Sequence, residues 1–174
     1  MNHDIFHYKI NEDNTISIVG ITINAKKLTE ISIPEEINGK KVTEIGNKVF
    51  VLCTSLRSIS IPKTIKRIGH FAFYKCVSLK SVIIPNGVTE IGRAAFAGCK
   101  LLTSIIIPGS VTKIHGQAFG FCSSLKSVTI PDSVTTIGVG AFSKCISLKE
   151  VRIPSSVTTI GSDAFPPECK VIRS

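Results

Sequence analysis

The residues best suited to chemistry are six cysteines, Cys53, Cys76, Cys99, Cys122, Cys145 and Cys169, and four histidines, His3, His7, His70 and His115. An even cysteine count invites a disulfide framework, and mixed Cys/His sets invite a metal. The spacing argues against both. Five cysteines recur every 23 residues and the sixth arrives one residue late, a periodicity that places them in one column rather than around a tetrahedral cage. If each period is one turn of a coil, neighbouring cysteines stand ~5 Å apart with side chains pointing the same way. Bridging needs Cβ vectors that converge, so free buried thiols are expected. The histidines share no column, and His115 occupies a position held by Gly46, Gly69, Gly92, Gly138 and Gly161 elsewhere. Either that slot tolerates a side chain or the coil bends there. Among the acids, Glu90 is alone in its column within the regular coils, Asp132 and Asp163 sit in turns, and no two carboxylates face each other across a cleft. The glycines recur with the period instead of forming a phosphate-binding loop. Catalytic, cofactor and metal sites are therefore all read as none, and an enzymatic reading such as a hydrolase has no residues to rest on.

What positions these columns is the repeat itself. Leucines at 56, 79, 102, 125 and 148 are followed by Ile59/Ile61, Val82/Ile84, Ile105/Ile107, Val128/Ile130 and Val151/Ile153, then by Pro62, Pro85, Pro108, Pro131 and Pro154. An apolar pair such as Ile65/Ile68 comes next, and each period closes on Ala-Phe, as in Ala72-Phe73 and Ala118-Phe119. Leu-x-x-Ile-x-Ile alternates as a half-buried strand does, and proline ends the ladder because it has no N–H. Ala72, Phe73, Cys76 and Leu79 are spaced as on a helix, which predicts a short helix or 3₁₀ turn on the return. The stretch Val88–Ile91 between them is too short to classify, and a second strand or an irregular arc both fit. A 23-residue unit cannot bury its apolar face alone. The expected fold is thus an α/β solenoid: a curved stack of coils with a parallel β-sheet on one face and short helices or 3₁₀ turns on the other.

The pattern Leu-x-x-Val/Ile-x-Ile-Pro-x-x-Val-x-x-Ile-Gly-x-x-Ala-Phe-x-x-Cys resembles the BspA-like leucine-rich repeats over about residues 28–172. The resemblance implies a leucine-rich-repeat fold in a bacterial or protist surface protein, with roles in adhesion to host matrix proteins or aggregation between bacteria. A single domain is expected over 1–174: a hairpin cap at 1–27, where Phe6, Tyr8 and Ile10 alternate; six repeat units over 28–165; and a stub at 166–174. The first unit opens at Leu28 and carries five extra residues around Asn38-Gly39, while Val171 is placed in the leucine slot of the stub.

With 174 residues, 43% hydrophobic and 19% charged, the chain has the composition of a globular domain, and no stretch approaches a membrane span. Met1-Asn2-His3-Asp4 lacks the layout of a signal peptide. The family implies the cell surface or secretion; a cytoplasmic protein or a piece of a longer one would fit that start. Lys and Arg exceed Asp and Glu by 21 to 12, for a net charge of +9.

Function is expected on the outward strand positions, the usual binding face of a solenoid. One row runs Ser58, Ser81, Ser104, Ser127, Glu150; the next runs Ser60, Ile83, Ile106, Thr129, Arg152. Ile83 and Ile106 should be adjacent, outward and central, where a solvated strand would carry polar residues. Arg57, Lys80, Lys126 and Lys149 form a basic edge. The expected function is a non-enzymatic protein-interaction module of adhesin type, monomeric, without a cofactor, with an extracellular-matrix or other cell-surface protein as partner. The alternative is an intracellular basic repeat protein binding nucleic acid or another polyanion, which the lack of aromatic interleaving disfavours.

Overall fold

The computed structural model describes residues 3–173; Met1 and Asn2 of the expected cap and Ser174 of the expected stub lie outside the described residues. The strands are β1 (Phe6–Ile10), β2 (Ile16–Ile21), β3 (Glu30–Ser32), β4 (Glu36–Ile37), β5 (Lys40–Ile45), β6 (Ser58–Ser60), β7 (Arg67–Ile68) and β8 (Ser81–Val82). They continue with β9 (Glu90–Ile91), β10 (Ser104–Ile106), β11 (Lys113–Ile114), β12 (Ser127–Thr129), β13 (Thr136–Ile137), β14 (Glu150–Ile153), β15 (Thr159–Ile160) and β16 (Lys170–Arg173). Each regular coil therefore supplies two short strands, and the stretch after proline that the periodicity could not classify is the second. These second strands form the long sheet, in the order β1-β2-β5-β7-β9-β11-β13-β15, with β4 paired to β5. The first strands pair in parallel in three groups, β3-β6-β8, β10-β12 and β14-β16. The chain is a β-solenoid.

The core is the set of columns. Phe50, Phe73, Phe96, Phe119 and Phe142 are fully buried. Their rings stack with Phe165 in one file, nearly parallel, with centroids 5.0, 4.9, 5.5, 5.4 and 5.4 Å apart. Offset ring pairs at such distances add ~0.5–1.5 kcal/mol each beyond the area they bury. Leu56, Leu79, Leu102 and Leu125 are fully buried and Leu148 nearly so.

The expected helices are not there. Among the described residues the only helical segments are two 3₁₀ turns, His3–Ile5 and Asn24–Lys27, both before the first regular coil. The reason lies in where the backbone N–H groups go. In one return, Ala72, Tyr74 and Cys76 donate to carbonyls within their own coil, whereas Phe71, Phe73 and Lys75 donate to Arg93, Ala95 and Ala97 of the next. A helix would keep every such bond within the segment. Phe71 and Lys75 also sit at φ +58° and +57°, in the left-handed region that ends a helix. Two consecutive turns thus reproduce the i, i+1, i+4 spacing of a helix while forming a third hydrogen-bonded ladder along the stack. The cysteines reinforce it: Cys76, Cys99, Cys122 and Cys145 donate their thiols to the carbonyls of Phe50, Phe73, Phe96 and Phe119 at 3.1–3.3 Å.

The ends depart from the regular coil. β1 and β2 form the antiparallel hairpin, and β2 hands over to β5 in parallel. Phe6 is buried, but a bulge between His7 and Tyr8 breaks the alternation, and Tyr8 and Ile10 are exposed. Leu28 does not take the buried leucine position; it is 40% exposed, and Ala25 of the preceding 3₁₀ turn is buried instead. At the other end Val171 pairs with Val151 and Lys170 with Glu150. Val171 is therefore a strand residue and not in the leucine slot. Pairing Glu150 with Lys170 is an offset of 20 residues, against 23 between Ser104 and Ser127, because the Pro166-Pro167 return takes a shorter path.

Candidate functional site

The short strands carry the expected residues in three separate groups. Ser60, Ser81, Ser104, Ser127, Thr129, Glu150 and Arg152 are exposed and Ser58 is half-buried. Ile83 and Ile106 are 83% and 70% exposed, two of the three highest values among large apolar side chains, with Ile23 at 72% between them. Pairing places Ser58 beside Ser81 and Ser104 beside Ser127, with Ile106 opposite Thr129. Arg152 Nε lies 3.8 Å from Glu150 Oε1 in its own strand, an exposed contact of little energetic weight. The basic edge is joined through its backbone from Arg57 to Lys126: Lys80 N–H donates to Arg57, Thr103 to Lys80 and Lys126 to Thr103; Arg57, Lys80, Lys126 and Lys149 are all exposed.

Two features of this face were not anticipated. Pairing extends the rows to Glu30 and Ser32 at one end and to Lys170 and Ile172 at the other. The offsets that place Ile31 and Ile33 in the repeat also place Glu30 and Ser32; the shortened last coil hides the other two. The face is also discontinuous, because among the described residues no strand ladder joins β8 to β10 or β12 to β14. A cleft of about 320 Å³ lies at the second break, lined by residues of β12 and β14 with Asp132 at its edge.

The long sheet carries its own pattern. Arg67 bridges Glu90, at 3.0 Å from Nε to Oε2, and Glu44, whose Oε2 accepts the Ser17 hydroxyl at 2.7 Å. Burial works against the Arg67 charge, but the hydrogen bonds it donates to Glu90 and Glu44 outweigh it and hold the guanidinium above its ordinary pKa. Beside this row runs the glycine column. A Cβ at Gly69 would stand 2.6 Å from the Gly46 carbonyl carbon, so the coils touch backbone to backbone there. At His115 the slot carries a side chain, and the N–H bond to the preceding coil that Gly69, Gly92, Gly138 and Gly161 make is missing among the described residues. His115 is half-buried, with glycine following at Gly116.

The fold also brings together two histidines that share no column: the His70 and His115 rings are 6.3 Å apart, edge to face. His70 Nδ1 accepts the Arg93 N–H at 2.9 Å, which occupies one ring nitrogen structurally. Burial and the nearby Lys113 push the His115 pKa down. Among the described residues no group of three or more His, Cys, Asp or Glu is arranged to hold a metal. All six cysteines are free thiols, and five are buried. Burial pushes Cys99 up to about 12, and Cys122 and Cys169 are raised too. The thiolate is the nucleophile and the ligand, so the raised pKa makes these three less reactive, whereas the hydrogen bond with the Cys76 thiol lowers Cys53. No helix among the described residues is long and apolar enough to cross a membrane.

Comparison with known proteins agrees with this geometry. The chain is 34% identical to a leucine-rich cell surface protein from Faecalibacterium prausnitzii, with a TM-score of 0.72, over 95% of this chain and 51% of that one. A leucine-rich repeat protein from Bacteroides ovatus is 28% identical at a TM-score of 0.71, over 97% and 51% of the two chains. The leucine-rich repeat protein of T. pallidum is 26% identical at 0.73, over 98% and 85%. The chain thus spans about half the length of the first two. No curated protein matches it. The family model for the BspA type leucine rich repeat region matches residues 43–171 in six copies, and with its columns, strands and turns in register the chain belongs to the BspA-type leucine-rich repeat family.

Proposed function

We propose that the chain is a single, non-enzymatic repeat domain of adhesin type that works at the cell surface. It binds a host or bacterial surface protein through the short-strand face, with Ile83 and Ile106 at the centre of the contact. The observation that carries this reading is the exposure of these two isoleucines, 83% and 70%, in a row whose other members are Ser32, Ser60, Thr129, Arg152 and the half-buried Ile172. Leaving two neighbouring aliphatic side chains in water contributes nothing to folding, whereas covering them could supply ~3–6 kcal/mol before association costs. Flanking serines fit a polar rim, and Arg57, Lys80, Lys126 and Lys149 would act mainly on association rate and salt sensitivity. The relative from F. prausnitzii, named as a cell surface protein, supports the location.

The experiment measures binding to immobilised fibronectin, laminin and collagen, and to heparin and duplex DNA. A chain with both Ile83→Asp and Ile106→Asp should lose binding to the protein surface, whereas Lys80→Ser with Lys126→Ser weakens it only modestly. Binding confined to heparin or DNA, lost with the lysines and falling steeply with salt, would favour the polyanion reading instead.

A further inference from the structure

The turn side of the coils carries a second, smaller site. Each return has two positions at left-handed φ, and the second of them is Leu52 (+59°), Lys75 (+57°), Gly98 (+76°), Phe121 (+61°) and Lys144 (+59°), all exposed but Gly98. Where the neighbours carry long side chains, Gly98 carries none, and it lines a notch of about 460 Å³ with Lys75 and Phe121; a Cβ on Gly98 would stand 3.2 Å from Lys75 Cγ. Its lining is Tyr74, Lys75, Val77, Gly98, Lys100 and Phe121.

The two aromatic walls come from coils two apart. Adjacent coils are separated by about one ring stacking distance, 4.9 Å between Phe73 and Phe96 and 5.5 Å between Phe96 and Phe119. The walls therefore have room for one intervening apolar group. Tyr74 is braced, with Phe71 edge-on at 5.7 Å and the Lys75 ammonium 5.3 Å from its ring centroid. Phe121 is 52% exposed. Its φ is the one every coil adopts at this position, so what sets Phe121 apart is an aromatic ring left half in water, where it adds little to the core. The floor is backbone: Gly98 N–H donates to the Gly120 carbonyl at 2.8 Å, so the coils meet without side chains between them.

The charge is one-sided. Lys75 and Lys100, both exposed, are the only charged residues of the lining, and no carboxylate belongs to it. An apolar slot with two ammonium groups at its rim is complementary to a ligand with an apolar body and a single negative head. We propose that the Gly98 notch binds an apolar carboxylate, its ring or chain between Tyr74 and Phe121 and its carboxylate between Lys75 and Lys100. Both a free aromatic or aliphatic acid and the carboxy-terminal residue of a peptide present this chemistry. The site lies away from Ile83 and Ile106 and stands or falls independently of them.

The chain has two tyrosines and no tryptophan, so in a Tyr8→Phe background Tyr74 fluorescence reports on the notch directly. The probes are 3-phenylpropionate, the uncharged 3-phenylpropanol, and a hexapeptide ending in phenylalanine with a free or an amidated terminus. Saturable binding of the acid, at least tenfold tighter than of the alcohol, is expected. Lys75→Ala with Lys100→Ala should weaken it at least tenfold. Gly98→Leu should abolish it, because it fills the notch with the residue that Leu52 already places at the same backbone conformation. If Gly98→Leu does not fold, Phe121→Ser removes a wall from the surface and should cost at least tenfold. The peptide arms identify the source: binding of the free but not the amidated terminus assigns a peptide end, and binding of 3-phenylpropionate alone assigns a small acid. Equal binding of acid and alcohol, no saturable binding, or binding unchanged in a folded Gly98→Leu or Phe121→Ser chain overturns the proposal.

Discussion

The two sheets run along the same coils and are built differently. The long sheet is one uninterrupted ladder from β2 to β15, while the short strands fall into three groups with gaps after β8 and β12. Glycine brings most of these coils close, although the ladder also runs through the coil of His115. Where a Cβ at Gly69, Gly92 or Gly161 would meet neighbouring backbone at 2.7 Å or less, adjacent coils are drawn together and their strands pair without interruption. The short strands end on Pro62, Pro85, Pro108, Pro131 and Pro154, which cannot donate to a ladder, and their outward residues change from coil to coil. Cohesion sits on the glycine side and in the phenylalanine file, and the loosened side is the one whose outward residues vary from coil to coil.

The comparison can be broken at graded points. Phe119→Ala, in the file that both sheets share between Phe96 and Phe142, should cost ~3–5 kcal/mol in urea unfolding; a loss below about 1 kcal/mol would mean the ring is not part of the core. Gly69→Ala should cost ~1–3 kcal/mol because backbone must move, since overfilling a packed site strains it. Gly109, after the proline of a short strand, has nothing within 4 Å of its would-be Cβ, and Gly109→Ala should be neutral or stabilising by up to ~1 kcal/mol. Equal losses at Gly69 and Gly109 would erase the proposed asymmetry. Arg67→Ala, which removes the bridge between Glu44 and Glu90, should cost less than ~1 kcal/mol, because Arg67 is 36% exposed and water screens the pairs. Raising the salt concentration should shrink that difference. Ile83→Ser with Ile106→Ser should change stability by no more than ~0.5 kcal/mol, read as an unchanged urea midpoint.

The inward columns were legible because one period repeats the same buried residue types: Leu56 through Leu148, the Ala-Phe pairs and the cysteines all reach the core. The outward rows followed from strand alternation, which is why Ile83 and Ile106 were found. Side-chain spacing says which way residues point, however, and not where their N–H groups go. The return segment at Phe71–Cys76 therefore read as helical although its bonds alternate between its own coil and the next. Two-residue strands such as Arg67–Ile68 are too short to show a period, so the long sheet and its Glu44–Arg67–Glu90 row were invisible. Val171 was misplaced because the Pro166-Pro167 shortcut removes three residues from the last coil, and no column extends beyond it to reveal the slip. The Gly98 notch needed coordinates, since a glycine in a repeat reads as a turn residue until its neighbours' side chains are seen beside it.

The hydrogen bonds of all three ladders join one coil to the next, so they run along the stack. A load applied between the two ends therefore pulls each bond row open in turn at the terminal coil, as a zipper parts, rather than shearing many rows at once. A tethered chain should yield one coil at a time. Each regular coil holds 23 residues, and straightening it lengthens the molecule by about 75 Å at ~3.3–3.6 Å per residue, less the ~5 Å rise it occupied. Stretching in an optical trap would record a train of steps of that size. A protein built this way lengthens under strain while the coils still stacked keep their surfaces intact.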